Sequence, residues 1–139
     1  MEKNEMKIVL RRPPNFGEII KVLPKALGFG VLFCYGDTIY NPSQVRVSQA
    51  IIDHEAIHAK RQLAMGVEEW WARYLADPQF RYKEELLAYR AEYITTMEVG
   101  NRAERRWAHR AIAKKLASPL YGCCSSWRTA LKEITDEEG

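Results

Sequence analysis

From residue 48 onward the chain is cut by four stop signals: Gly66, Pro78, Gly100 and the pair Ser118-Pro119. The stretches between them are of helical length and rich in helix formers. That part of the chain is therefore expected to be a set of helices packed on one another. Ser48 suits an N-cap for a helix to about Met65, which Gly66 ends. VEEWWARYLA, 67–76, reads as a short helix ended near Pro78, and 80–99 as a long one stopped by Gly100. Asn101 followed by Glu104 has the form of a capping box, for a helix to about Ala117. Ser125 or Ser126 is placed to cap a last helix, WRTALKEI, before an acidic tail that frays.

The first third reads differently. Residues 6–10 suit a short strand, which Pro13, Pro14 and Asn15 break. Residues 18–27 leave helix and loop open, since Pro24 argues against one continuous helix. VLFCY (31–35) and TIYN (38–41) are β-prone runs joined by Gly36-Asp37, and Gly at the first loop position suits a type II′ hairpin. The expectation is an α+β fold, a short β-region packed on a mainly helical body.

At 139 residues the chain has the size of one domain, 1–139. An apolar fraction of 47% and a charged fraction of 28% are ordinary for a globular protein. The net charge of +3 is too small to mark a nucleic-acid binder. The most apolar window, 19–40, holds Lys21, Pro24, Lys25 and Asp37, whereas a membrane span needs ~20 mostly uncharged residues. The N-terminal apolar run is too short for a secretory leader. No membrane association is expected, and a cytoplasmic location is. Cys34 and the vicinal pair Cys123-Cys124 make a poor disulfide framework and match no cysteine-based zinc site.

Residues 54–58 read His54-Glu55-Ala56-Ile57-His58, the pattern HExxH, inside an expected helix. Residues four apart share a helix face, so both imidazoles can reach one ion at ~2.0–2.1 Å. Glu55 stands about 100° around the helix, outside that ligand set but placed to reach a water on the ion. A catalytic zinc wants a third protein ligand and one open position. The later helix carries Glu85 in the run Glu85-Leu86-Leu87-Ala88-Tyr89, among apolar neighbours that suit a buried ligand. HExxH alone is a weak signal, and Glu84 competes with Glu85, because helical phase lets only one of them face the histidines.

HEAIHAKRQ (54–62) followed by EELLAYRAE (84–92) resembles the gluzincin branch of the zincin metallopeptidases, and more narrowly the single-domain minigluzincins. The resemblance covers roughly residues 30–122. It implies a zincin-like fold, one Zn2+ per chain, and hydrolysis of a peptide or protein substrate. Carried over by position, His54, His58 and Glu85 are the metal ligands and Glu55 is the catalytic general base. Many gluzincins have an acid four residues after the ligand glutamate, steadying a zinc-bound histidine. Tyr89 stands there in this chain, and Glu92, one turn further on the same face, is placed to substitute. The family also points to Tyr121 as an oxyanion donor, though a tyrosine in a turn is ordinarily structural. Zincins bind substrate along an edge strand, and 38–41 is the strand expected to border the cleft.

His109 reads as a solvated surface histidine. The run Arg102, Arg105, Arg106, Arg110, Lys114 and Lys115 reads as a solvated helix face, with nucleic acid the unlikely partner. Trp70, Trp71, Tyr74 and Phe80 read as packing. The alternative to an enzyme is a zinc-binding, non-catalytic domain of the same fold that acts by binding a partner or, through the basic helix, nucleic acid, without turnover. An intact Glu55 argues against it.

Overall fold

The structure is a computed structural model and describes residues 5–118 and 126–135. Tyr121, Cys123, Cys124 and most of the acidic tail lie outside them. The elements run β1 (Lys7–Val9), α1 (Phe16–Val22), a 3-10 turn (Pro24–Leu27), β2 (Phe33–Tyr35), β3 (Thr38–Tyr40), α2 (Gln49–Met65), α3 (Val67–Ala76), α4 (Pro78–Val99), α5 (Arg102–Leu116) and α6 (Trp127–Ile134). The fold is mixed α+β. Among the described residues, no helix is long and apolar enough to cross a membrane.

Local chemistry explains the boundaries. Ser48 accepts a hydrogen bond from Ile51 N–H, and Gly66, at φ 103°, ends α2 in a conformation that other residues resist. Pro78 stops α3 and also serves as the first residue of α4, where its missing N–H costs nothing; Asp77 caps the two N–H groups that follow. The capping box of Asn101 and Glu104 is present, and Ser126 caps α6.

β2 and β3 form the expected hairpin, with Tyr35 opposite Thr38. Gly36 has φ 63° and Asp37 keeps a negative φ, the pattern of a type II′ turn. The placement of 38–41 at a sheet edge is overturned. The strand order is β1-β3-β2, so β3 is central. β1 pairs with it in parallel, Ile8 opposite Ile39. Both backbone edges of β3 are occupied, one by β1 and the other by β2, so neither is left to pair with a peptide, and Thr38, Ile39 and Tyr40 are all buried. β2 is the edge strand nearer the helices.

Two apolar clusters come from successive halves of the chain. The first gathers Ile19, Leu23, Phe33, Tyr40, Trp70 and Trp71 under the sheet. The second gathers Leu86, Tyr89, Ile112, Leu116, Ala130 and Ile134 between α4, α5 and α6. α2 packs chiefly against α4, and their contact is the seam between the two.

Candidate metal centre

α2 turns an unusual face inward. Its buried residues are His54, Glu55, His58, Ala59 and Gln62, only one of them apolar. Buried polar groups cost free energy unless they find partners, so the surroundings of this face decide what it does. Gln62, one turn beyond His58, is fully buried and clamps the hairpin. Its amide donates to Cys34 O at 2.8 Å and accepts from Gly36 N–H at 2.7 Å. Trp71 Nε1 donates to the same Cys34 carbonyl at 3.2 Å. The outward edge of β2 is thereby tied to α2 and α3 at a fixed height beside the histidines.

α4 supplies the opposing carboxylates. Glu85 Oε1 lies 3.2 Å from His54 Nε2, and its Oε2 lies 3.1 Å from His58 Nε2. Glu84 points elsewhere. Its Oε1 accepts from Arg61 Nε at 2.6 Å and from Trp70 Nε1 at 2.8 Å. Of the two rivals, Glu85 is therefore the one that faces the histidines. His54 Nδ1 lies 3.0 Å from Glu92 Oε1, and the Tyr89 ring packs edge-on against His54 at 4.4 Å. The carboxylate beside the first histidine thus comes from Glu92, and Tyr89 contributes a wall.

His54, His58 and Glu85 are all buried, and one ligand atom from each lies within 4.8 Å of the others. Donors bound at ~2.0–2.1 Å to one tetrahedral ion sit roughly 3.3 Å apart; each histidine lies at about that distance from one oxygen of Glu85, His54 from Oε1 and His58 from Oε2. His58 Nε2, Glu85 Oε1 and Glu55 Oε2 are buried without a hydrogen-bond partner. The His58–Glu85 pair is at hydrogen-bond distance but off line for one. Such orphaned groups are costly in a protein interior, and a cation among them satisfies the histidine nitrogens and Glu85 together. This buried group could hold a metal ion.

The electrostatics agree. Burial opposes charge on His54, but Glu85 and Glu92 outweigh it and hold the imidazole up at about 10. Burial likewise opposes charge on Glu85, and the two histidines prevail, keeping it well below the usual carboxylate range. The cluster holds positive charge tightly, as a ligand set for a divalent ion must. Burial pushes the Glu55 carboxyl up; the histidines pull it back, while Glu85 and Glu92 add to the rise. Burial also raises the Cys34 thiol, helped by the charges of Glu55, Asp37 and Glu85, which leaves it an inert wall residue.

Two spaces meet at His54 and Glu55. One is a small, mainly apolar cavity of about 60 Å³ walled by Ile19, Leu23, Leu32, Phe33 and Trp71. The other is a wider cleft of about 530 Å³, with Phe29 to Leu32 on one side and Ala111, Lys114, Lys115 and Ser118 of the α5 end on the other.

Three contributors escaped the sequence reading. Tyr74 Oη donates to Glu85 Oε2 at 2.6 Å. Trp70 holds Glu84 and packs edge-on against His58 at 5.3 Å. Gln62 fixes the hairpin. A signal existed for each. Trp70 and Tyr74 are four apart on one helix, and buried Trp and Tyr need partners for their polar tips; Gln62 stands four after His58. His109 is corrected as well. It is half-buried, with Nε2 2.7 Å from Leu131 O and its ring beside Tyr93, so it ties α5 to α6 away from the site. No family model matches the chain, and no curated protein or solved structure matches it either.

Proposed function

We propose that this chain is a zinc metallopeptidase of gluzincin type, with His54, His58 and Glu85 as ligands and Glu55 as general base. One observation carries the reading. Two imidazoles four apart on α2 and a carboxylate from α4 converge in a buried cluster, and Glu55, partnerless at Oε2, borders both spaces that open there. A purely structural site is closed by four side chains; among the described residues the cluster offers three ligand residues, with the Glu55 carboxylate beside them.

Zinc held there would lower the pKa of a water to about 7 and polarise a peptide carbonyl. Glu55, whose carboxyl is pushed up by burial, would be the base that accepts a proton from such a water and returns it to the leaving amine. Glu92 Oε1, 3.0 Å from His54 Nδ1, is placed to orient the ring and increase its donor strength, and Tyr74, which donates to Glu85 Oε2, holds that carboxylate. Trp70 and Tyr89 pack the two rings in place. The peptide lies against the segment leading into β2, since β3 is interior and the Cys34 carbonyl is already engaged.

The test has two arms. Elemental analysis should find one zinc per chain, lost in His54→Ala and in His58→Ala. Glu55→Gln should keep the zinc and lower peptide turnover by at least a thousandfold. Zinc binding with no cleavage of any peptide in a diverse mixture would reject the enzyme and favour a partner-binding zinc domain.

A further inference from the structure

The wider cleft has a charge pattern that hydrolysis does not require. Ala111, Lys114 and Lys115 follow the i, i+3, i+4 spacing of one face of α5, Ser118 lies just past the end of that helix, and together they line the cleft whose floor holds His54, Glu55 and Glu92. Both lysines are exposed. Lysines in a last helical turn commonly offset the helix dipole, and that alone would not place them on a shared cleft with the candidate base. One wall is cationic, while the floor carries two carboxylates. Among the described residues lining the cleft, Lys114 and Lys115 are the lysine or arginine side chains, set together at one wall, an arrangement that fits one carboxylate better than the phosphates spaced along a polyanion. A single carboxylate can approach the lysines while the rest of a peptide spans the floor. The space, about 530 Å³, suits a short stretch of peptide.

We infer that this cleft takes a carboxylate of the peptide substrate, on one side of the scissile bond, held by Lys114 and Lys115. The inference rests on the peptidase reading and adds a substrate class to it. The carboxylate is either an acidic side chain or the C-terminus of the peptide. Both offer the charge-assisted acceptor that a lysine ammonium pairs with.

The test uses the zinc-loaded full chain and peptides matched in all but one group: Glu against Gln within the sequence, and free acid against amide at the C-terminus. Cleavage is followed in wild type. Binding is followed separately, by fluorescence anisotropy of labelled peptides on Glu55→Gln. The acid member of at least one pair should be favoured about tenfold in kcat/KM, chiefly through KM, and about tenfold in affinity. The responding pair identifies the source of the carboxylate. The preference should fall below twofold in Lys114→Gln/Lys115→Gln, return with arginine at both positions, and reverse toward lysine-bearing peptides with glutamate at both. Equal binding within both pairs, or a preference that survives the double glutamine change, overturns the inference even if hydrolysis is efficient. So does a short oligonucleotide that binds more tightly than the acidic peptide and depends on the same lysines. A lysine-dependent acid preference in binding without cleavage by wild type would reject the peptidase and retain the cleft as a carboxylate site.

Discussion

Replacing Glu85 by alanine removes the carboxylate that faces both His54 and His58, whereas replacing Glu84 strands two donors. The expected result is a double dissociation. Glu85→Ala should weaken zinc binding at least a hundredfold. Glu84→Ala should leave affinity within tenfold but lower stability by about 1–3 kcal/mol, because a buried Trp70 N–H loses its acceptor and Arg61 its partner. Zinc titration and urea unfolding of the two variants read both effects, and a reversed order would move the ligand register by one residue. Gln62 offers a second test. Gln62→Ala leaves Gly36 N–H unpaired and Cys34 O with only its bond from Trp71, and it adds a small void. About 2–4 kcal/mol of stability should be lost at unchanged m-value. If the loss is under 1 kcal/mol, the hairpin is held by other contacts.

At the scale of elements, most boundaries from α2 onward followed from a cap or a breaker that can be named: Ser48, Gly66, Asn101 with Glu104, and Ser126, one of two serines that suited the last cap. α1 was not legible, because Asn15 makes no side-chain cap and Pro24 left 18–27 open. Pro78 was legible as a stop for α3 but not as the start of α4, since a single proline can do both. The histidine pair was legible because helical spacing alone puts His54 and His58 on one face. The choice of Glu85 over Glu84 was not, because neighbouring residues differ only in helical phase, and phase is set by how α4 docks on α2. Strand order was also out of reach. β1 and β3 are separated in sequence by α1, the 3-10 turn and β2, and no local pattern in three residues announces a parallel partner. The sheet topology has its own observable. The β3 amides that bond to β1 and β2 should exchange more slowly than any amide on the outward edges of β1 or β2, apart from those whose bonds are made by side chains. Hydrogen exchange that finds Ile39 and Tyr40 no better protected than Ile8 would contradict the central position of β3.

For the whole molecule, zinc binding and folding are linked, because the ligands come from two helices that only meet in the folded state. Free zinc at 100 times its Kd should add about 2.7 kcal/mol. For a chain of this length that is about 9 °C in Tm, using an unfolding entropy of about 2.1 cal/mol/K per residue. A chelator should remove the shift in wild type and do nothing to His54→Ala/His58→Ala. A zinc effect that survives in that double variant would place the ion elsewhere.

The polar inner face of α2 also matters during synthesis. The first apolar cluster draws on residues up to Phe80, the second on residues from Tyr82 onward. A nascent chain that has reached the end of α3 can thus bury most of its apolar side chains before α4 emerges. What it then leaves open to water is His54, Glu55 and His58, which hydrate readily and give other chains little to stick to; Gln62 already has its partners in the hairpin. A helix docking through leucines would expose a sticky stripe for as long as its partner was missing. We predict that wild-type chains truncated after residue 77 and released stay dispersed, and that the same chains carrying His54→Leu and His58→Leu collect in the pellet on sedimentation. Equal sedimentation of the two would deny the buried polar face this part in biogenesis.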